Sequence, residues 1–440
     1  MRLLIIDTDG VGLALAWRAA QAGHEVRWYV KPKPSNNPDA GKGFKGVERI
    51  ENWVGSMKWA DLVFSTSNDD YLKRLDFFRS NGAMVFAPSQ KSADLEIKRA
   101  QGMEFLKKHG IDVPPYKTFK TLAEAEAYVW KNERRFVFKT LGDNEDKSLS
   151  YCGKSPADMI ARLRLWQKNG MNPKGEVMLQ EFIDGIEMGV SCWMGSKGWI
   201  GKPNENFEHK KLMPGNCGPN TGEMGTVASY VEKSKMFDDI MKPLEKDLVK
   251  LDHLGDIDLN CIIDEKGQAW PLEFTNRPGW PIFNLMMAAN KGDPVQWMLD
   301  AMRGKDSLEV NTEPSVCVVL AQPDFPYGNL DKKEVSGLPI YGVTKKNQKY
   351  IQPQSVQIMK LPDMEGDKVV ERPIWATAGD YLAVVTGFGK NVKQAAERAY
   401  KTVDEVSVPN MIYRNDIGSG LKEKLPKLHA MGYATHFNYE

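Results

Sequence analysis

The first part of the chain shows apolar runs and helical repeats that alternate as they do in α/β domains. Residues 2–7 (RLLIID) are nearly all apolar, which is typical of a buried parallel strand, and LALAWRAAQAG then repeats with helical spacing up to Gly23. The run EVRWYV predicts a second strand, and two more are predicted at 61–66 and 83–88 with a helix between them. This order predicts a Rossmann-like domain over residues 1–90.

The middle of the chain predicts a smaller unit followed by an irregular segment. Helical spacing predicts a helix over 93–109. Residues 116–190 then combine apolar strands, a polar turn and a helix over 156–169, which predicts a small α+β unit. Residues 195–230 are rich in Gly, Pro and Asn and therefore predict one long loop.

The remainder predicts a helix, a hairpin and a third α/β region. Residues 231–252 have helical spacing, and the strands DIDLNCIID and QAWPLEF pair as a hairpin through the turn DEKG. A third α/β region is predicted over 315–413, and the chain then ends in a polar, loosely held tail.

Composition and charge restrict the functions open to this chain. Its 59 Lys and Arg nearly balance its 58 Asp and Glu, which argues against a surface that binds duplex nucleic acid. Its five cysteines form no CxxC pair, so we expect neither a disulfide framework nor a zinc site, and a reducing, cytoplasmic location fits best. We find no signal peptide, and no apolar run approaches the ~20 residues that span a bilayer.

Two lysines beside a polar turn are candidates for binding a triphosphate. Lys139 lies in the apolar strand RFVFKT, where a lysine usually meets an anion. Lys147 follows in GDNEDKSLS, so the two ammonium groups can hold phosphates from both sides, although Lys147 alone reads as a solvated loop lysine. The end of a later strand can bind an adenine edge through its backbone and the ribose through a carboxylate. These nucleotide candidates are Glu181, Phe182, Ile183 and Glu187.

The predicted hairpin carries oxygen ligands suited to a metal ion. Asp258 and Asn260 alternate onto one face, since strand side chains have a period of two, and Glu273 on the partner strand can face them. Mg²⁺ typically uses one or two carboxylates together with phosphate oxygens. Arg277 follows and could bind a phosphoryl group or a carboxylate. A salt-bridged strand surface is the alternative interpretation.

Two glycine-rich segments can bind anions through backbone N–H groups. The turn at 9–12 (DGVG) lacks the third glycine of the dinucleotide fingerprint, so it is weak evidence for an NAD-dependent oxidoreductase. The segment 218–225 (GPNTGEMG), which follows EHKK at 208–211, suits a carboxylate or another anion. Each segment could equally be a surface turn. The substrate-binding candidates here are Gly218, Pro219, Asn220, Thr221, Gly222 and Gly225.

Several of these segments resemble the phosphoribosylamine–glycine ligases, members of the ATP-grasp superfamily. FEHKK…GPNTGEMG resembles that family's DHKR…GPNTGGMG, QEFIDGIE resembles EEFLDGEE, and LEFTNRPG resembles IEFNCRFG. The spacing from Lys139 to Lys147 matches IKADGLAAGKG, and MIYRNDIG resembles the FCRKDIG ending. The resemblance covers most of the chain, and GPNTGEMG followed by DIG is a specific combination.

The resemblance implies an α/β fold class with an α+β lid. It implies a Rossmann-like domain (1–90), an ATP-grasp domain (91–312) with a lid at about 116–185, a C-terminal α/β domain (313–415) and a tail (416–440). It implies a step of purine biosynthesis in which ATP phosphorylates the carboxylate of glycine and an amine then attacks the acyl-phosphate. The implied cofactor is Mg²⁺, with Mn²⁺ as an alternative. The expected partners are small molecules alone, without a membrane or duplex nucleic acid, and the expected state is a monomer or a homodimer.

The resemblance also implies site roles. The catalytic candidates are Lys147, Arg277, His209 and Lys210. The ATP-binding candidates are Lys98, Arg99, Lys139, Lys147, Glu181, Phe182, Ile183 and Glu187, and Arg277 joins the substrate-binding set. The metal candidates are Glu273, Asn276, Asn260 and Asp258. The family's second ligand follows the Glu by two residues, where this chain has Thr275, so Asn276 requires a small bulge.

Three motifs depart from the family pattern. GGREHALAW is replaced by DGVGLALAW, GPE by 66–68 (TSN), and FGDPE by 278–282 (PGWPI), where Trp280 could stack on a ring. Since these motifs lie largely on the family's amine side, we expect the ATP-binding and acid-activating half to persist. The acceptor is then phosphoribosylamine or another small, nucleoside-like amine. The alternatives are a ligase for a different amino acid and an inactive nucleotide-binding descendant.

Overall fold

The computed structural model describes the chain at residues 1–33, 36–68, 71–141, 150–171, 175–330 and 334–440. Within these ranges no helix combines the length and the apolar character that a membrane span requires. One hydrophobic core connects the first sheet, the central sheet and the last helix, and it therefore links the two ends of the chain.

The N-terminal segment forms the predicted parallel sheet. Its strands are β1 Arg2–Asp7, β2 Glu25–Val30, β3 Val47–Ile50, β4 Leu62–Ser65 and β5 Val85–Phe86, and its helices are α1 Leu13–Gln21 and α2 Leu72–Ser80. The strand order is β3-β2-β1-β4-β5, and all pairs are parallel. Helices on both faces explain why the strands are continuous apolar runs. The Rossmann-like prediction is confirmed.

Two helices connect this sheet to the next unit, α3 Gln90–Ile97 and α4 Arg99–Lys108. Ser89 caps α3, because its Oγ accepts a hydrogen bond from Ser92 N at 3.1 Å. The single helix predicted over 93–109 is wrong, since Lys98 has a non-helical backbone (φ −101°, ψ 75°). This break turns Lys98 and the start of α4 toward the cavity described below.

A small unit with its own sheet and core follows. It contains β6 Tyr116–Phe119, α5 Leu122–Lys131, β7 Phe136–Thr140, β8 Tyr151–Cys152, α6 Pro156–Lys168 and β9 Val177–Glu181. The strands are antiparallel in the order β6-β9-β7-β8. Phe136, Phe138 and Trp166 belong to a hydrophobic core separate from the main one. We call this unit the lid, and it matches the α+β unit predicted over 116–190.

The central part of the chain is a long sheet with helices behind it. Its elements are β10 Ile186–Gly195, β11 Gly198–Glu208, β12 Lys211–Met213, β13 Cys217–Asn220, β14 Gly225–Tyr230, α7 Glu245–Lys250, β15 Gly255–Ile263, β16 Ala269–Thr275, α8 Ile282–Ala289 and α9 Gln296–Met302. The hairpin β15–β16 is confirmed. The long loop predicted over 195–230 is wrong, because β11 and β14 pair within the sheet. The helix predicted over 231–252 is shorter, with helical turns only from 235 to 250.

The C-terminal part extends the same sheet. Its elements are β17 Ser315–Ala321, β18 Ser336–Pro339, β19 Ile351–Pro353, β20 Val356–Glu365, β21 Lys368–Ala378, β22 Tyr381–Phe388, α10 Val392–Glu405 and α11 Leu421–Ala430. The sheet order is β16-β15-β10-β11-β14-β17-β22-β19, so the sheet crosses the boundary predicted near residue 313. The domain bounds remain a prediction.

The loosely held tail predicted after residue 415 is wrong. Leu425 and Leu428 of α11 are buried, and Phe437 is fully buried. The ring of Phe437 packs edge-on against Phe207 of β11, with 5.5 Å between ring centroids. The tail therefore belongs to the core, because its apolar residues cover the central sheet.

Candidate functional site

A cavity of about 920 Å³ lies between the N-terminal sheet and one face of the central sheet. The loops that follow β1 and β4 form one wall, since the carboxyl ends of parallel strands meet at one edge. Polar side chains of the central sheet form the opposite wall. The lining includes Asp9, Thr66, Asn68, Glu96, Lys98, Glu208, Lys210, Gly222, Glu223, Asn260, Glu273, Arg277 and Trp280.

Strand register places a group of polar side chains on the cavity face of the central sheet. Asn260 of β15 is opposite Glu273 of β16 and opposite Gly189 of β10, and Gly189 is opposite Asn206 of β11. Opposed residues in neighbouring strands point to the same side, as does every second residue along a strand. This face therefore carries Glu187, Asn206, Glu208, Asp258, Asn260 and Glu273.

Lys210 lies between two carboxylates of this face. Its Nζ is 2.9 Å from Glu187 Oε1 and 3.0 Å from Glu208 Oε2. Asn260 Nδ2 donates to the same two oxygens at 2.8 and 3.0 Å. Partial burial lowers the pKa of Lys210, but the carboxylates of Glu208 and Glu187 outweigh it and hold that pKa well above its usual value. Lys210 is thus a fixed cation beside the cavity.

Two further carboxyl groups are buried beside this cluster. Asp258 accepts a hydrogen bond from Asn206 Nδ2 at 2.8 Å, and Glu223 accepts one from the hydroxyl of Thr226. Burial and the nearby Glu208 carboxylate raise the pKa of both groups well above its usual value. Sequence reasoning missed Glu208 and Glu223. For Glu223 the sequence offered one signal, since this residue stands in GPNTGEMG at the position where the family motif GPNTGGMG has glycine.

Arg99 and Lys98 reach the cavity region from the break between α3 and α4. Arg99 Nη2 is 2.9 Å from Glu273 Oε2, and Lys98 Nζ is 2.8 Å from Asp94 Oδ2. The side chain of Arg99 is only 9% exposed, so its pair with Glu273 is partly shielded from solvent. The structure therefore brings one ATP-binding candidate into contact with one metal candidate.

Arg277 lines the cavity just after β16. Its Nε is 3.6 Å from Glu96 Oε1, and Asn68 Nδ2 donates to Glu96 Oε2 at 2.6 Å. The segment after β4 is thus connected to Arg277 through one carboxylate. This connection joins the N-terminal wall of the cavity to the central sheet.

Asn276 does not join the other metal candidates. Its side chain is fully buried and donates to Ser92 O at 2.6 Å, beneath α3. Thr275 is the residue that lines the cavity here, directly opposite Asp258. No bulge turns Asn276 inward, because its backbone N–H and its amide are both bonded to α3 residues.

The lid carries the predicted phosphate-binding lysine Lys139. This residue is buried in β7 opposite Met178 of β9, with only 8% of it exposed. Lys147 lies outside the described residues. The structure therefore describes only Lys139 of the predicted lysine pair. The prediction that the two lysines hold a triphosphate from both sides stays a prediction.

The segment predicted to bind adenine begins where β9 ends. Glu181 N donates to Pro115 O at 2.8 Å, and Phe182 N donates to Arg135 O at 3.0 Å. The Arg135 guanidinium also lies 3.6 Å from the centre of the Phe182 ring. Two of the three backbone N–H groups are thus already bonded, and a hydrogen bond from this segment to adenine would come from Ile183 N.

The glycine-rich segment forms a hairpin of β12 and β13 at the cavity entrance. Thr221 donates from both its N and its Oγ1 to Lys210 O, at 2.8 and 2.9 Å. Gly222 lines the cavity, and Gly225 begins β14, where an added Cβ would lie 2.5 Å from Cys317 O. Gly218, Pro219 and Asn220 lie in β13, largely exposed.

His209 faces the C-terminal segment rather than the cavity. Its Nε2 accepts a hydrogen bond from Gly418 N at 3.2 Å, and it is not among the lining residues. Burial, together with the Arg414 charge, lowers the pKa of His209 to about 4, so the imidazole is neutral near pH 7. The geometry gives His209 a structural contact, while its catalytic role stays a prediction.

Two sequence models of one family match the chain. The ATP-grasp (A) domain of phosphoribosylglycinamide synthetase matches residues 99–256, and the C domain matches residues 315–420, which together exceed half of the chain. Phosphoribosylamine–glycine ligase from Vibrio parahaemolyticus is 26% identical over 441 residues, covering 95% of this chain and 98% of that protein. The protein of the same name from Clostridium acetobutylicum is 24% identical over 450 residues, covering 95% and 99%.

Solved structures show the same fold. Phosphoribosylamine–glycine ligase from Thermotoga maritima aligns with a TM-score of 0.70 and 22% identity, covering 95% of this chain and all of that one. The L-amino acid ligase from Bacillus licheniformis aligns with a TM-score of 0.56 and 16% identity, covering 92% and 98%. The fold and these matches define an ATP-grasp ligase, an enzyme class that forms C–N bonds. The chain belongs to the phosphoribosylglycinamide synthetase family, a family of purine biosynthesis.

Proposed function

We propose that the chain uses ATP to activate the carboxylate of glycine, or of a similarly small amino acid, and joins it to an amine. The observation that carries this proposal is the shared cavity, where Lys210, Arg277 and Glu273 face the loops of the N-terminal domain. A ligase needs one space in which the activated acid and the amine meet in a reactive arrangement. The names of the relatives, phosphoribosylamine–glycine ligases, support glycine as the acid.

Positive groups suited to a triphosphate lie at this cavity and in the lid. Arg99 contacts Glu273 at the helix break, Arg277 lines the cavity after β16, and Lys139 is buried in the lid. Phosphoryl transfer depends mainly on positioning and on stabilising negative charge on the transferred group. We assign Lys139 to the phosphates of ATP and Arg277 to the transferred group, with Lys147 as the predicted second lysine.

The residues at the cavity fit a magnesium ion. Asn260 Nδ2 is held by two carboxylates, so its Oδ1 must point away from them, and this buried oxygen has no hydrogen-bond partner among the described residues. Glu273 lies directly opposite on β16. No group of three or more His, Cys, Asp or Glu side chains suited to a metal occurs in the described ranges, but Mg²⁺ needs only one or two carboxylates beside phosphate oxygens. Bound Mg²⁺ would neutralise phosphate charge.

In the proposed reaction, a carboxylate oxygen of the amino acid attacks the γ-phosphorus of ATP, and ADP leaves. The amine nitrogen then attacks the carbonyl carbon of the acyl-phosphate, phosphate leaves, and the nitrogen loses a proton. Lys210 keeps its positive charge through both steps, because its pKa is held well above its usual value. This charge offsets the repulsion that Glu187 and Glu208 would otherwise exert on the anionic acid and the departing phosphate.

Trapping of the acyl-phosphate with hydroxylamine tests the proposal. The protein is incubated with MgATP, glycine and hydroxylamine, and we expect ADP and glycyl hydroxamate in equal amounts. Glu273→Gln should lower the rate by about 10²–10³-fold, since it removes the carboxylate proposed to hold the Mg²⁺ that would bind the phosphates. Glu265→Gln is the matched control, because Glu265 is exposed in the turn of the same hairpin. A Glu273→Gln variant as active as Glu265→Gln would refute the assigned role.

The same assay separates the alternatives. Hydroxamate formation with alanine or serine, and none with glycine, would identify a ligase for a different amino acid. ATP binding without hydroxamate from any amino acid would identify an inactive nucleotide-binding descendant.

The setting that we propose for this reaction is the cytoplasm. All five cysteines are free thiols, as expected in a reducing compartment. We propose that the partners are small molecules, namely ATP, the amino acid and the amine, and that the chain acts as a monomer or a homodimer.

A further inference from the structure

The loop between β1 and α1 lines one end of the cavity, on the side of the N-terminal domain. Asp9 and Val11 of this loop line the cavity, and α1 begins at Leu13 just behind them. Backbone N–H groups at a helix N-terminus and in a glycine-rich turn usually bind an anionic group, such as the phosphate of a ligand. Whether these N–H groups are available therefore decides whether this end can receive a phosphorylated amine.

In this chain three N–H groups of the loop are bonded to Asp7, the last residue of β1. Gly10 N donates to Asp7 Oδ1 at 2.9 Å, and Gly12 N donates to Oδ2 at 2.7 Å. Asp9 N adds a third backbone hydrogen bond to Oδ1 at 3.1 Å. A carboxylate of the chain itself thus already accepts these three N–H groups.

Two side chains complete the surroundings of Asp7. Trp28 Nε1 donates to Oδ2 and Thr66 Oγ1 donates to Oδ1, each at 2.9 Å. Five donors on two oxygens are the arrangement that an ionised carboxylate accepts. Burial raises the pKa of Asp7 and these hydrogen bonds oppose that rise. Asp7 is fully buried, so solvent does not compete for its donors.

Asp7 and Trp28 fill the space on the inner side of this loop. An added Cβ at Gly12 would lie 2.9 Å from Asp7 Oδ2 and 3.2 Å from Trp28 Nε1. A phosphate brought to the loop would also lie close to the carboxylate of Asp7, and like charges in a buried site repel strongly. At the rim, Asp9 is paired with Lys33, whose Nζ lies 2.5 Å from Asp9 Oδ1.

The remaining groups at this end are mostly neutral or paired. Ser67 and Asn68 follow β4 and line the cavity as neutral polar residues, and Lys98 is paired with Asp94. Lys73 is an exposed lysine on the rim of the cavity. A single exposed ammonium attracts anions weakly and without selectivity.

We infer that the acceptor amine carries no phosphate group at this end, and that Asp7 is the residue that excludes one. The inference rests on the proposed function and refines its acceptor: a neutral or cationic amine that hydrogen-bonds to the polar segment 66–68. Asp7 acts by fixing the loop and occupying its N–H groups, so it is a positioning residue.

Binding measured without turnover provides the first test. Ribose 5-phosphate is titrated into the wild-type protein in the presence of a saturating non-hydrolysable MgATP analogue, which fills the positions proposed for the triphosphate, and we expect neither calorimetric binding nor a change in melting temperature. Asp7→Gly frees the loop N–H groups, so under the same conditions its melting temperature should rise with added ribose 5-phosphate, with an affinity gain of about tenfold or more. Asp9→Gly is the matched control, since it removes a carboxylate from the same loop and leaves the N–H groups bonded to Asp7.

Competition in the hydroxamate assay provides the second test. Phosphoribosylamine is added to the wild-type protein with MgATP, glycine and hydroxylamine. Unchanged hydroxamate formation supports the inference. Suppression of hydroxamate with formation of a phosphorylated glycinamide would overturn it and leave the proposed function intact. Absence of hydroxamate with every amino acid would instead count against the proposed function, and ribose 5-phosphate binding to the wild type would then still decide the inference. That binding arm also decides it if Asp7→Gly does not fold.

Discussion

Arg414 is predicted to be a main anchor of the glycine-rich hairpin. Its side chain is 1% exposed, and its Nε and Nη2 each lie 2.8 Å from an oxygen of Asp416. Its Nη1 donates to Lys211 O and to Asn216 Oδ1, both at 3.0 Å, and Asp416 Oδ2 accepts from Gly215 N at 2.9 Å. The pair therefore joins the C-terminal segment to residues 211–221.

Arg414→Met keeps the length of the side chain and removes every donor. The Asp416 carboxylate, Lys211 O and Asn216 Oδ1 then lose a hydrogen-bond donor at a position shielded from solvent. Removing one member of a buried ion pair costs about 3–5 kcal/mol. Because the Asp416 side chain is 24% exposed and keeps its bond from Gly215 N, we expect the lower end, about 3 kcal/mol.

Thermal unfolding and hydrogen–deuterium exchange of the 211–221 peptides measure this effect. Arg372→Met is the control, because Arg372 is 46% exposed and contacts Asp363 and Glu365 at 3.7 and 3.1 Å on a surface hairpin. Exposed pairs contribute at most about 1 kcal/mol. We expect faster exchange at 211–221 in Arg414→Met alone. Equal melting temperatures and equal exchange in the two variants would refute the anchoring role.

The pH dependence of this effect has a defined sign. Burial raises the pKa of Asp416, but the hydrogen bonds from Arg414 and Gly215 outweigh it and hold that pKa below its usual value. A depressed carboxyl pKa contributes stability that is present above the unfolded-state pKa and is lost as the pH falls through the folded-state pKa. The difference between wild type and Arg414→Met should therefore shrink in acid.

Two further predictions concern residues of the predicted site. Gly225→Ala should destabilise the protein by about 1–3 kcal/mol in thermal unfolding, since the added Cβ would lie 2.5 Å from Cys317 O. Gly222→Ala is the control and should change the stability little, because no atom lies within 4 Å of the added Cβ. Equal effects of the two substitutions would contradict the packing argument. Burial lowers the pKa of His209 from 6.5 to about 4, so on acidification through this range the unfolded chain binds a proton that the folded chain does not. The free energy of unfolding should fall by roughly 3 kcal/mol more in the wild type than in His209→Gln, and parallel pH profiles would show that His209 is not responsible.

Elements with a local pattern could be predicted from the sequence. The strand β1 is a continuous apolar run, and β15 and β16 alternate on either side of a four-residue polar turn, so each carries its signal within a few residues. The same alternation correctly placed Asn260 and Glu273 on one face. Such predictions succeed because the side-chain period depends only on the strand itself.

Elements defined by distant partners could not be predicted. Gly, Pro and Asn in β11 suggest a loop, yet β11 is a strand because β10 and β14 bond to both of its edges. The tail reads as polar, and its few apolar residues become core only where β11 presents Phe207 to Phe437. In both cases the partner lies far away in the sequence, and tertiary contacts override local propensity.

Contacts between distant elements also limited the prediction of the candidate site. The alternation of β15 and β16 cannot reveal that Lys210, from the segment between β11 and β12, lies between Glu187 and Glu208. It also cannot show that the side chain of Asn276 donates a hydrogen bond to Ser92 O of α3, a residue far from it in the chain. Residue types and spacing thus indicated which polar side chains of the hairpin lie on the cavity face. Which of these candidates contact one another depends on how the elements pack.

The segment 66–68 shows how the acceptor end could change while the ATP side persisted. Thr66 donates to Asp7 at one end of the cavity, and Asn68 donates to Glu96, which contacts Arg277 at the other. Both hydrogen bonds run from a neutral side chain to a carboxylate, so the segment fixes two negative groups without adding charge of its own. The proposed role of Arg277 toward the transferred phosphoryl group therefore does not depend on which amine the acceptor is. Departures from the family pattern at this segment are thus compatible with the proposed activation of the acid.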